Sequence, residues 1–245
     1  MAGLRLNTDT EPPLFGQVAA SGIVIIEIGT ERQRYHVHKA LLARHSDYFN
    51  RALTGSWEEA QEGVVALNDV DTAAFDLFLQ WLYTQTMPND MQISTITETD
   101  DLEGDDDGEQ TSLLWIYIRA YVLGTRILSP AFCTSIINCL NRDCLPERMP
   151  YKETSYPHIL AYAFANLPSD NTLLLDLVED YSLKWRESLT KWNEGLRDAC
   201  FHISVQEELP SAFLARVMHH RLVSDAEDAA NPAQWFGVEE ILLSM

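Results

Sequence analysis

The chain has 245 residues, 46% hydrophobic and 22% charged, with 37 acidic against 17 basic side chains and a formal net charge of −20. That length accommodates one large domain or two small ones. A field of that sign repels phosphate backbones and anionic lipid, which argues against nucleic acid and membrane as partners and leaves room for a basic protein partner.

Residues 1–20 are polar around Pro12-Pro13 and carry one short apolar patch at Leu14, Phe15 and Val18. They read as a flexible N-terminal tail with a docking point. The basic start and long apolar run of a secretory signal are missing there, so residence is expected to be cytoplasmic or nuclear rather than secreted. Ser21 to Gly29 is a near-continuous apolar run ending in glycine, which predicts a strand buried on both faces. Thr30 to Arg34 is a polar turn. In Tyr35 to Lys39 the side chains alternate, Tyr35, Val37 and Lys39 to one side and His36 and His38 to the other, as on the second strand of a hairpin.

The spacing then becomes helical. Leu41, Leu42, His45, Tyr48 and Phe49 fall near one face, and two short helices are expected over about 40–45 and 47–53. Gly63 to Asp69 predicts a third strand. Asp71 or Thr72 is placed to cap a helix whose stripe is Phe75, Phe78, Leu79 and Leu82.

Met87 to Ser112 holds eight acidic residues between Glu98 and Glu109 and no Lys or Arg. Like charges at that density repel, so a disordered acidic insertion over 87–112 is expected. It lacks the ordered D-x-D-x-D-G pattern of a calcium loop. Beyond it, Leu113, Tyr117, Ala120, Gly124 and Ile127 step by four and three, and Ser129-Pro130 reads as a cap followed by proline at the first helical position. Cys133, Ile136, Ile137 and Leu140 make the next stripe before Pro146 and Pro150. Further helices are expected over about 156–166, 172–190, 193–203 and 211–223, with a short apolar end at Trp235 to Leu243. Leu174, Leu177, Val178, Tyr181 and Trp185 form one stripe, and Leu214, Val217 and Met218 another.

Few residues here invite catalysis. No G-x-S-x-G, G-x-x-x-x-G-K or H-E-x-x-H occurs, so no enzyme is expected. Cys133, Cys139, Cys144 and Cys200 lack C-x-x-C spacing and read as reduced core thiols rather than metal ligands. His36 and His38 alone do not make a zinc site. His219-His220 reads as a cationic pair near a helix carbonyl end. No cofactor and no metal are expected.

The run Y-H-V-H-K-A-L-L-A-R-H-S-D-Y-F at 35–49 resembles the signature of BTB/POZ domains, an aromatic followed by H-K-x-x-L-x-x-x-S-x-x-F. The matching positions are Tyr35, His38, Lys39, Leu42, Ser46 and Phe49. G-S-W-E-E-A-Q-E-G-V-V-A-L at 55–67 and F-D-L-F-L-Q-W-L-Y-T at 75–84 also look like this family, and most like its members in filamentous fungi, as does A-Y-A-F-A-N-L-P-S-D-N-T-L-L-L-D-L at 161–177.

The resemblance implies an α+β architecture: a BTB/POZ domain over 21–143, with a small mixed sheet flanked by helices, then a helical C-terminal region over 144–245. It implies structural roles for His38, Lys39, Leu42, Ser46 and Phe49, and a protein–protein interaction function with no active site. BTB adaptors of cullin ubiquitin ligases use an apolar-x-Glu motif before the third strand, and Trp57-Glu58-Glu59 matches it in place and type. The expected role is therefore an adaptor in which Trp57 and Glu59 contact a cullin, aided by the helices at 75–84 and 113–128. An unknown substrate would dock on 145–245 or the acidic loop. The alternative is a scaffold or transcription-associated protein that meets no cullin. Family homodimers swap a long helix ahead of the first strand. Only the patch at Leu14 and Phe15 stands there in this chain, so a monomer and a different homodimer both stay open.

Overall fold

A computed structural model describes residues 15–54, 61–89, 92, 113–144, 156–179, 181 and 209–230. The chain divides into two compact units, 1–139 and 140–245.

The first unit is built on a hairpin. Strand β1, Ile23–Ile28, pairs antiparallel with β2, Gln33–His38, in a register that sets Ile23 opposite His38 and Glu27 opposite Arg34. Gly29 and Arg32 close the turn with φ of 72° and 54°. Glycine takes that left-handed conformation freely, whereas arginine does so at a cost of order 1 kcal/mol. Strand β3, Val64–Leu67, lies parallel to β1 on its other side, so the order is β2-β1-β3. A parallel return needs a crossover. Helices α2, Lys39–His45, and α3, Asp47–Thr54, lie within it.

The two faces of this sheet differ. Val24, Ile26, Ile28, Val37, Val65 and Leu67 point inward and are buried. The opposite face carries Ile23, which is 60% exposed, half-buried Ile25 and Val64, and exposed Ala66, Arg34 and His36. The expectation of a strand buried on both faces is thus corrected. Strand β1 is continuous in hydrophobicity, but among the described residues it packs helices on one side only.

The inner face is covered by α4, Thr72–Thr84, and α5, Leu113–Arg126. Asp71 caps α4, its Oδ1 accepting from the Ala74 N–H at 2.7 Å. The helix ends in a left-handed Gln85, whose N–H reaches the Trp81 carbonyl at 2.7 Å and whose Nε2 donates to the carbonyls of Trp81 and Leu82. Those bonds satisfy carbonyls that the helix end leaves open and offset the strain of a non-glycine there.

Every residue of α5 from Ile116 to Gly124 is buried, which the single stripe read from sequence does not convey. It packs against both α4 and α6. Helix α6, Pro130–Cys139, begins on its proline, but the Ser129 hydroxyl is buried without a hydrogen-bond partner, so the expected side-chain cap is not made. The two helices approach closely at Gly124, where a Cβ would stand 2.8 Å from Cys133 Sγ and 3.0 Å from Phe132 Cδ1. Phe49, Phe75, Phe78, Trp81 and Phe132 fill the core between sheet and helices, with Phe78 and Phe132 edge-to-face at 5.2 Å. A short helix, α1, Phe15–Ala20, lies within the segment whose composition suggests a tail, and its Val18 is buried.

The second unit is helical where described. It contains a π turn at Leu140–Cys144, α7 at Tyr156–Asn166, α8 at 172–179, and α9 at Ser211–Ala230. Phe213 anchors its core, 5.3 Å from the Phe164 ring and 5.0 Å from Tyr181. Leu174, Leu177, Val178 and Tyr181 are buried as their spacing suggests, and Trp185 lies outside the described residues. On α9 the inner positions are Phe213 and Val217. Met218 is 64% exposed, which corrects the stripe that included it. Since α9 runs to Ala230, His219 and His220 stand in mid-helix, away from any carbonyl end. The expected helix over 193–203, the end at 235–243 and most of the acidic insertion also lie outside the described residues.

Candidate functional site

The residues singled out from sequence fall into two groups. Trp57 and Glu59 lie outside the described residues. The other five come together where β2 turns into α2 and α3. At the end of β2, the Tyr83 hydroxyl sits 3.2 Å from the His38 backbone N–H, which donates to it, and 2.9 Å from His38 Nδ1. The Lys39 N–H donates to the Gly22 carbonyl at 3.0 Å, fixing the strand–helix junction, and its side chain is half-buried. Leu42 and Phe49 are fully buried. Ser46, 1% exposed, accepts from the Phe49 N–H at 3.1 Å and donates to the Ile127 carbonyl. The five thus bind backbone turns and core together at the strand–helix junction.

Two charged groups went unread in the sequence. Glu27 stands alone in an apolar strand, yet its side chain is only 7% exposed. Arg34 Nε and Nη2 both reach its Oε1 at 2.9 Å, and Arg32 Nη1 stands 3.8 Å from Oε2. A lone Glu in one strand of a hairpin, with Arg directly across from it, was the available signal. Arg119 is buried inside α5, 3.4 Å from Asp71 and 5.1 Å from the centre of the Trp115 ring. Burying that guanidinium is tolerable because a carboxylate and a ring face compensate it. Nearby, burial pushes the Tyr35 hydroxyl above its ordinary range, reinforced by the charge and hydrogen bond of Asp76 and the charge of Asp71.

Outward surface near this junction is modest. On α4 the half-buried Asp76, Leu79 and Gln80 and the 43% exposed Tyr83 form one stripe. Helix α5 exposes only its C-terminal end, at Arg126 and then Leu128, so the expectation that 113–128 helps to contact a partner is narrowed to that end. There Arg126 Nη2 pairs with Asp69 at 2.8 Å. Among the described residues no group of three His, Cys, Asp or Glu side chains is placed to hold a metal ion, and no helix is long and apolar enough to cross a membrane.

Residues 24–102 match the family model of the BTB/POZ domain. The chain is 34% identical over 73 residues to the BTB and MATH domain-containing protein 15 of Caenorhabditis elegans, a stretch that is 30% of this chain and 26% of that protein. It therefore spans about a quarter of the length of that curated relative. Among solved structures, the BTB domain of zebrafish PATZ1 aligns over 53% of this chain and 86% of its own, at 15% identity and a TM-score of 0.34.

Proposed function

We propose that this protein is a non-catalytic adaptor that uses a BTB/POZ domain to recruit a substrate to a cullin-type ubiquitin ligase. The match of residues 24–102 to a family of protein–protein interaction domains supports the interaction role. Trp57-Glu58-Glu59, four residues ahead of β3, carries the cullin part of the reading. A tryptophan on a partner-facing segment fills an apolar pocket, and a glutamate beside it adds a charge-assisted bond at the rim. Tyr83 and the stripe on α4 would extend that contact. The division into a BTB part over 21–143 and a substrate-binding helical part over 144–245 belongs to the same reading, as does kinship with the BTB proteins of filamentous fungi. So does residence in the cytoplasm or nucleus.

Calorimetric titration with the amino-terminal domain of a BTB-binding cullin tests it, using the wild-type chain and Trp57→Ala. Micromolar or tighter binding that the variant loses supports the adaptor. A folded wild type that fails to bind rejects it in favour of a scaffold that meets no cullin.

A further inference from the structure

We infer that the free edge of β2 is a docking site for an extended acidic segment of a partner protein, added to the sheet as a fourth strand. The backbone geometry opens the edge. The Lys39 N–H donates to the Gly22 carbonyl, and Ile25 and Gly29 donate toward β3. With the β1–β2 register, this parity turns the N–H and C=O groups of Gln33, Tyr35 and Val37 toward β1, and those of Arg34, His36 and His38 away from it. Tyr83 takes the His38 N–H. Among the described residues nothing bonds the outward groups of Arg34 and His36, and both residues are exposed. A strand of four to six residues finds two N–H donors and two carbonyls there, which is the chemistry of β-augmentation.

Charge decides which strand. The chain carries a net −20, yet Arg32, Arg34 and Lys39 stand within eight residues at this edge, with the imidazoles of His36 and His38 between them as further hydrogen-bonding groups. Arg34 is 66% exposed even though its Nε and Nη2 hold Glu27, and its Nη1 stays unengaged among the described residues. Arg34 and His36 share the outer face of the sheet, so acidic side chains belong on that side of an added strand. On the inner side the neighbours are Tyr35 and Asp76, which favour an apolar residue and repel a second carboxylate. The sequence that fits therefore alternates acidic and apolar residues. A second copy of this chain fits poorly. Antiparallel pairing of β2 with itself about Tyr35 would set Arg34 against its partner copy's His36, which offers the guanidinium no carboxylate across the strands. This site does not depend on any cullin contact.

The test is fluorescence anisotropy with the full-length protein and a labelled Glu-Val-Glu-Val-Glu-Val peptide at low salt. Two further peptides serve as controls: the Lys-Val analogue, and an acidic analogue N-methylated at alternate backbone amides. The acidic peptide is expected to bind at least tenfold more tightly than either control, and His36→Pro to weaken it about as much as N-methylation does. His36 donates nothing to β1, so His36→Thr, which keeps the N–H, serves as the folded reference. Equal binding of the acidic peptide and its N-methylated form would mean adhesion by charge alone and would overturn strand addition. Equal or tighter binding of the basic peptide, no binding of any, or concentration-dependent dimerisation that excludes the peptide would overturn it too.

Discussion

The hydroxyl of Ser46 donates to the backbone carbonyl of Ile127, 81 residues further along the chain. The N–H groups of Asp47 and Tyr48 reach the carbonyls of Leu128 and Ile127 at 3.2 and 3.4 Å. The first donors of α3 thereby meet acceptors just past the end of α5, and each helix end satisfies what the other leaves open.

Ser46→Ala should remove the cap on Phe49 and one of the two donors to the Ile127 carbonyl in one step. A loss of about 2 kcal/mol is expected, read as a lower urea midpoint with an unchanged slope.

Gly124→Ala should be destabilising by about 1–3 kcal/mol, since the new methyl meets Cys133 Sγ and Phe132. Adding Cys133→Ala clears the nearer clash. The double variant should recover part of the loss, and strict additivity in the cycle would show that the two side chains do not touch.

His45 is half-buried against the Trp81 ring, 5.4 Å between centroids. Burial, and secondarily the charge of Arg44, hold its pKa below the ordinary 6.5. The unfolded state therefore binds a proton more readily than the folded one. This contribution to stability is present above pH 6.5 and is lost as pH falls below it. Thermal melts between pH 7.5 and 5.5 should show the melting temperature falling with pH, and His45→Gln should flatten part of that slope.

Burial raises the Cys133 thiol to about 11, and Cys139 is fully buried. Cys133 therefore presents no thiolate at neutral pH, and burial shields Cys139 from reagent. Iodoacetamide at pH 8 should leave both unlabelled in the folded protein and label both in urea, as peptide mass mapping would read.

Local periodicity made most of the fold legible. Alternation in Tyr35–His38, the stripe at Phe75, Phe78 and Leu82, and a cap at Asp71 each depend on neighbours within a few residues, and each stands in the structure, whereas Lys39 opens α2 instead of closing the strand and Leu79 of that stripe is only half-buried. What stayed hidden depends on distant partners. The continuous run at 23–28 could not tell that the two faces of β1 would be buried to different extents, with Ile23 exposed and Ile25 half-buried on one of them. Likewise, Glu27 passes unread within the apolar run because its burial depends on Arg34 across the hairpin. Helix α9 runs past the expected bound of 223 to Ala230, since a helix already packed through Phe213 and Val217 extends cheaply into mostly polar residues. The five signature residues His38, Lys39, Leu42, Ser46 and Phe49 were legible as a motif, and their geometry now gives each a physical task. Trp57 and Glu59 rest on sequence alone.

Enclosure of α5 bears on how the protein is made. While a ribosome is still synthesising residues before Leu113, the hairpin, α3 and α4 have no partner for the surface that α5 will occupy. At about 5–20 residues per second, several seconds pass between the emergence of Ser46 and that of Ile127. Through that interval Phe49, Phe78 and their neighbours lack the cover of α5 and α6, so this core closes only after the far side of the acidic stretch has been translated.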